Sequence, residues 1–179
     1  MELKNLVHVN KLKKHTLKSC VKDFLQEIIN VSRRLQINPN WLMGVIELET
    51  GGSFDPSITN SLGYTGLIQF GKAAARAIGT TTSKLRAMTA LEQLRYVELY
   101  LKPYKSKIKC YADVYLAVFF PAAIGRPDGW VLHTSRLSAE RIAKWNPLFD
   151  INKDKAIQIW EIKHKLLARI PESHKMIML

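Results

Sequence analysis

A single, mainly helical (all-α) domain is what this chain of 179 residues predicts, and three observations carry that expectation. Apolar residues recur at three- and four-residue steps through the longer segments, the period of an amphipathic helix. Helix-start signals stand in front of those segments: Asn38 before Pro39, Thr89 three residues ahead of Glu92, and Ser138. The length suits one packed domain, and no internal repeat, low-complexity tract or linker interrupts it.

Residues 1–15 have no clean period and are expected as a flexible N-terminal arm, which leaves 16–179 as the domain. Thr16 caps a first helix through about Leu35, whose stripe is Leu17, Val21, Phe24, Leu25, Ile28, Ile29, Val31 and Leu35. Pro39 turns Asn38 away from the α conformation, so Asn38 closes one segment and caps the next, with Pro39 at a favoured first position. Trp41, Leu42, Val45, Ile46 and Leu48 are the apolar positions of that second helix. Glu49 lies one turn after Val45 and falls on the stripe, whereas Glu47 sits about 200° round the axis from it. Gly51 and Gly52 suit a left-handed helix exit.

Ser53 to Gly63 is rich in turn formers, and Asp55 before Pro56 reads as a turn starter. A short helix is expected over Lys72 to Ile78, a polar connector over Thr80 to Ser83 and a turn at Leu85 to Met88. Thr89 and Glu92 form a capping-box pattern that opens a helix through about Tyr100, stopped by Pro103. Tyr111 to Ala123 is almost wholly apolar and is expected as a buried central helix, ended or kinked at Pro121. Ser138 caps a short helix through Trp145, a last helix runs from about Ala156 to Ile170, and a frayed tail follows Pro171.

The formal net charge of +12 favours a polyanionic partner such as nucleic acid, an anionic membrane or an acidic cell wall. The lysines are scattered, with clusters at 11–18, 102–109 and 153–165, and no arginine-rich arm is present. That pattern suits general attraction better than base reading, so no nucleic-acid partner is expected. No apolar run approaches the roughly 20 residues of a membrane span, so no membrane insertion is expected. The first residues lack the apolar stretch of a secretory signal. Cys20 and Cys110 lack metal or redox spacing and are expected as buried free thiols. His8, His15, His133, His164 and His174 are isolated, and Trp130, Trp145 and Trp160 read as core or rim packing.

Glu49 is the residue with the most chemistry in it. A carboxyl on an apolar stripe at a helix C-terminus, with no basic residue one turn away, has its proton held by desolvation and by the negative end of the helix dipole. A carboxyl kept protonated near neutral pH is what a general acid requires. A core-rim carboxyl bonded to backbone N–H groups is the alternative for the same residue.

Glu49-Thr50, Phe54-Asp55-Pro56 and Gly63-Tyr64-Thr65-Gly66-Leu67-Ile68-Gln69-Phe70 occur in this order and spacing. Together they resemble the signature of the soluble lytic transglycosylase family, closely over Trp41 to Gly79 and loosely elsewhere. The resemblance implies a lysozyme-like α fold and cleavage of the glycan strands of bacterial peptidoglycan. It implies Glu49 as the single catalytic acid/base, with Thr50, Tyr64, Gly66, Leu67, Ile68 and Gln69 lining the sugar subsites. The family carries Ala-Tyr-Asn-Ala-Gly after a later helix, where this chain has Phe119-Phe120-Pro121-Ala122. Phe120 therefore stands at the expected tyrosine, and Tyr115, one turn earlier, is the substitute to consider. A monomer acting in the periplasm or outside the cell, of the phage wall-lysing type, is the corresponding expectation. A muramidase-type hydrolase, a non-catalytic wall-binding protein and a basic nucleic-acid-binding protein are the alternatives.

A second pattern spans residues 150–161. Asp150, Asn152, Asp154, Gln158 and Glu161 place oxygen side chains at positions 1, 3, 5, 9 and 12 of a twelve-residue loop, with Ala156 at the backbone-carbonyl position. This resembles an EF-hand calcium loop, and some lytic transglycosylases carry one. Lys155 replaces the glycine usual at position 6, and Lys153 adds positive charge. No cofactor is required by the expected chemistry; Ca2+ at this loop, or a loop that only caps the last helix, are the two expectations.

Overall fold

The computed structural model describes residues 2–178 and is mainly helical, with no sheet among them. Two compact units partition the chain, Met1–Ser106 and Lys107–Leu179, where the sequence gives no linker signal.

In the first unit the N-terminal segment is ordered, in contrast to the expected arm. Two 3-10 turns, Leu3–Asn5 and Val9–Lys11, precede α1 (Lys14–Leu17). Leu6, Val7 and Leu17 are buried, which explains the order despite the absence of a helical period. The Val7 N–H donates to Asn40 Oδ1 at 2.8 Å. The expected first helix is broken: Lys18 adopts a left-handed φ of 53°, and α2 begins only at Val21 and runs to Leu35. Cys20 lies at this break and is exposed, and Cys110 is half-buried, so neither thiol occupies the buried site expected of it.

The α2 stripe buries Phe24, Leu25, Ile28, Val31 and Leu35, each stabilising by about 1.5–3 kcal/mol on area grounds. It packs against α3 (Pro39–Glu49) and, further along the chain, α6. In α3 the Asn38 side chain accepts from the Asn40 N–H, and Pro39 occupies the first turn as anticipated. α4 (Lys72–Ala77) follows the loop region. α5 (Thr82–Ala87) replaces the expected connector and turn, because the Thr81 hydroxyl accepts from the Lys84 N–H and nucleates one helical stretch. α6 (Ala90–Leu101) opens on the Thr89–Glu92 capping box. Arg34 of α2 bridges Glu27 and Glu98, tying α2 to α6 at the surface.

In the second unit α7 (Tyr111–Phe119) is buried from Tyr111 to Ala117 and stops before Pro121, which starts a 3-10 turn. α8 (Ala139–Trp145) is capped by Ser138 as expected. α9 (Ile159–Ala168) starts three residues later than the apolar pattern suggests, at the Gln158–Glu161 capping box. The tail after Pro171 is ordered: a 3-10 turn leads into α10 (Lys175–Met178), which buries Met178.

Candidate active site

Glu49 is the last residue of α3 and is half-buried. Thr50 closes the helix from beneath: its hydroxyl donates to the Ile46 carbonyl at 2.7 Å and accepts from the Phe54 N–H at 3.0 Å. Thr50 is itself buried, so it fixes the exit rather than exposing a hydroxyl. Gly51 and Gly52 take φ of 58° and 84°, and the Gly52 N–H returns to the Glu47 carbonyl. Such a left-handed exit is strained for any residue with a Cβ.

The two carboxylates of this helix end have separate fates. Glu47 is buried and paired with Lys11 of the N-terminal segment at 2.6 Å, so its charge is neutralised locally. Burial alone pushes the Glu49 carboxyl up, from its ordinary 4.5 to about 7. The burial differs from what helical phase suggests: Glu47, expected to point away from the apolar stripe, is the more buried of the two because Lys11 of the N-terminal segment reaches it, while Glu49 is half-buried.

Asp55 behaves as a turn former. Its Oδ1 accepts from the Ser57 N–H at 2.8 Å and from the Ser57 hydroxyl at 2.7 Å. The chain then reverses through 60–64 and closes a tight turn over 65–70, where Thr65 and Phe70 exchange both backbone hydrogen bonds. Gly66 sits at φ 84°, and a Cβ there would collide with the Gln93 amide. Leu67 and Ile68 point into the core, so only their backbone is available to line a groove. Gln69 adopts a left-handed φ of 50°, and its Nε2 donates to the Gly66 carbonyl at 3.1 Å. Tyr64 is exposed, with its ring lying over Gly71.

α6 contributes two residues that motif reading passes over. Gln93 is fully buried: its Oε1 accepts from the Leu67 N–H at 2.9 Å, and its Nε2 donates to the Pro56 and Leu85 carbonyls at 2.6 Å each. It thereby pins the 56–67 loop to the helical frame. Tyr100, two turns further on the same face, meets the Phe70 ring edge-on at 6.0 Å between centroids and lies 6.2 Å from Tyr104. Burial first, then the Tyr104 and Glu49 charges, push its phenol up to about 12. The seven-residue spacing from Gln93 was the available signal for both.

The other two expected site residues belong to the second unit. Tyr115 is buried there, stacked on Phe119 at 5.4 Å and tilted against Phe149 at 5.7 Å. Phe120 is half-buried beside Trp130 at 6.3 Å. Both make packing contacts within that unit.

In the loop 150–161 most of the oxygen side chains expected as calcium ligands accept from the loop's own backbone N–H groups. Lys153 and Lys155 take φ of 61° and 66°, and the Lys155 N–H donates to Asp150 Oδ2. Glu161, expected as the bidentate ligand, is buried and turned to the backbone. Its Oε1 accepts from the Ile151 N–H at 2.7 Å, and its Oε2 accepts from the Gln158 N–H at 2.7 Å. Asn152 Oδ1 and Asp154 Oδ1 accept from the Asp154 and Ala156 N–H groups. Asp150 Oδ1 is the one carboxylate oxygen of the loop that is buried without a hydrogen-bond partner. Among the described residues no three His, Cys, Asp or Glu side chains converge as a metal would require. Gln158 and Glu161 form a capping box on α9.

No protein-family model, no curated protein and no solved structure matches the chain.

Proposed function

We propose that the protein is a lysozyme-like lytic transglycosylase that cleaves the glycan strands of peptidoglycan, with Glu49 as its acid/base. The observation that carries the reading is a half-buried carboxyl at the α3 terminus, held up to about 7 by burial, beside a second carboxylate already neutralised by Lys11. Glu47 is held by Lys11, which leaves Glu49 as the carboxyl of this helix end that burial raises. The sequence resemblance over 41–79 supplies the substrate class, and the net charge of +12 suits an anionic wall, with attraction that weakens as salt rises.

Protonated Glu49 donates to the glycosidic oxygen as the bond to the anomeric carbon breaks. The resulting carboxylate takes the proton of the sugar's 6-hydroxyl as that oxygen closes a 1,6-anhydro ring. No second carboxylate is required. Asp55 is occupied with the Ser57 turn, which favours this route over a hydrolase that uses Asp55 as base or nucleophile. The backbone of 66–68, the Gln69 side chain and the exposed Tyr64 ring are the groups available to hold the sugars.

Purified cell walls test the reading. The wild-type protein is expected to clear a wall suspension and leave anhydro-muramyl ends by mass spectrometry, and Glu49→Gln is expected to lose clearing by a thousandfold or more, on the order of one catalytic group. Equal clearing by the two proteins removes Glu49 from the mechanism. Reducing ends assign a hydrolase instead, and binding without cleavage assigns a wall-binding protein.

A further inference from the structure

We propose that the turn after α8, which carries Trp145 and Leu148, is a docking tip for an anionic lipid surface. The inference goes beyond the glycan reading and holds whether or not Glu49 cleaves a wall.

Residues 145–149 read Trp-Asn-Pro-Leu-Phe, and the proline forces Asn146 out of the α conformation, so α8 ends at Trp145. The apolar side chains of this stretch then part company. Phe149 packs on Tyr115 and Phe119, at 5.7 and 5.5 Å between centroids. Trp145 and Leu148 stay outside, 58% and 79% exposed, although Trp145 reads from the sequence as a packing residue. Asn146 fixes the turn between them. Its N–H and its Nδ2 both donate to the Ile142 carbonyl, at 3.0 and 2.9 Å, and its own carbonyl accepts from the Phe149 N–H at 3.0 Å. The turn is thus anchored at both ends while Trp145 and Leu148 project from it.

The charge around the tip selects the partner. Arg141 lies one turn before Trp145 with its guanidinium 4.7 Å over the ring, and Lys144 is exposed beside it. Lys153 and Lys155 are exposed on the following loop, and Lys155 reaches Glu140 of α8 at 3.8 Å, which brings that loop alongside the helix. Of the acids nearby, Glu140 is opposed by Lys155, and Asp150 and Asp154 accept from backbone N–H groups of their own loop. Residues 107–179 carry twelve Lys and Arg against seven Asp and Glu, an excess of five positive charges.

A bilayer interface uses all of these groups at once. Tryptophan settles at the headgroup level, leucine reaches the acyl boundary, and Arg and Lys attract anionic headgroups. A glycan strand is the poorer match, because Arg141 covers one face of the Trp145 ring and leucine offers a sugar no hydrogen bond. A second copy of the chain is poorer too, since two side chains supply far less than the roughly 800 Å² per partner of a stable interface. Among the described residues no helix is long and apolar enough to cross a membrane, and the contact proposed is peripheral.

Flotation of the full chain with vesicles of two parts phosphatidylcholine to one part phosphatidylglycerol provides the test. Wild type is expected to float with them, to bind pure phosphatidylcholine vesicles about tenfold more weakly and to be released as salt rises. Leu148→Ser and Trp145→Ser are each expected to weaken binding about tenfold, with melting curves unchanged because both side chains are exposed. Phospholipid brominated in its acyl chains is expected to quench part of the wild-type tryptophan emission, and to lose that effect in Trp145→Phe. Lys14→Glu combined with Lys18→Glu, in the other unit, is expected to weaken binding less than Leu148→Ser does. A wild type that stays off the anionic vesicles overturns the proposal. Binding that survives Leu148→Ser and Trp145→Ser but not the double lysine reversal overturns it in favour of general attraction. Wall pelleting or a dimer that is lost in Leu148→Ser, with vesicle binding unchanged, overturns it in favour of a glycan or a second copy. Clearing of lipid-free walls is expected to be equal in wild type and Leu148→Ser, so failure of the tip and failure of Glu49 are read in separate assays.

Discussion

The pH dependence of stability gives the sharpest check on Glu49, because it needs no substrate. The perturbation is Glu49→Gln, which keeps the shape of the side chain and removes its ionisation. In the folded protein burial holds the carboxyl at about 7, against an ordinary value of 4.5. Below 4.5 the carboxyl is protonated in folded and unfolded chains alike, and it has no pH-linked effect. Between 4.5 and about 7 the unfolded chain releases the proton while the folded chain keeps it, so stability falls as pH rises. Above about 7 both forms are ionised and the loss is complete. At about 1.4 kcal/mol per pH unit the interval corresponds to about 3 kcal/mol. Urea unfolding of both proteins at pH 4, 6 and 8.5 reads this directly. The variant is expected to match wild type at pH 4 and to exceed it by about 3 kcal/mol at pH 8.5, equivalent to about 10 °C in melting temperature for a chain of this size. A difference that stays constant across the range would refute the claim that burial holds the Glu49 proton.

Three further outcomes follow from the contacts around the site. Lys11→Met leaves the buried Glu47 carboxylate without its 2.6 Å partner and is expected to destabilise by about 2–3 kcal/mol; Lys11→Met combined with Glu47→Gln is expected to recover most of that in chemical denaturation. Gln93→Leu preserves volume but strands the Leu67 N–H and the Pro56 and Leu85 carbonyls, with an expected loss of about 3 kcal/mol and of wall clearing together; an unchanged melting curve would show that the amide does not pin the loop. Millimolar calcium or a chelator is expected to leave the melting temperature unmoved, because Glu161 is engaged by backbone N–H groups; a calcium-dependent rise of several degrees would mean that Glu161 reorganises around a cation.

Local chemistry determined a large part of the molecule. Asn38 with Pro39, Thr89 with Glu92, and Ser138 start α3, α6 and α8 where their capping groups dictate, because a cap is satisfied within three residues of itself. The same locality made the position of Glu49 at the helix end legible, whereas the burial of Glu47, which helical phase points away from the core, came from packing. The turn role of Asp55 is likewise local.

Tertiary structure decided the rest, through contacts between residues far apart in sequence. The N-terminal segment has no period of its own and is ordered because Leu6 and Val7 find a core and Lys11 finds Glu47, 36 residues away. Thr81 and the core position of Leu85 made a helix where short polar residues suggested a connector. The EF-hand-like spacing at 150–161 fixed which oxygens are available, but only folding determined that Glu161 turns to the backbone. Above all, the anchoring of the turn over 65–70 could not be read along the chain. Gln93 and Tyr100 carry no motif, and they acquire their roles because α6 packs on α2 and lays one face against the turn over 65–70. The sequence by itself determined which carboxyl stands at the helix end; long-range packing decided the burial that holds its proton.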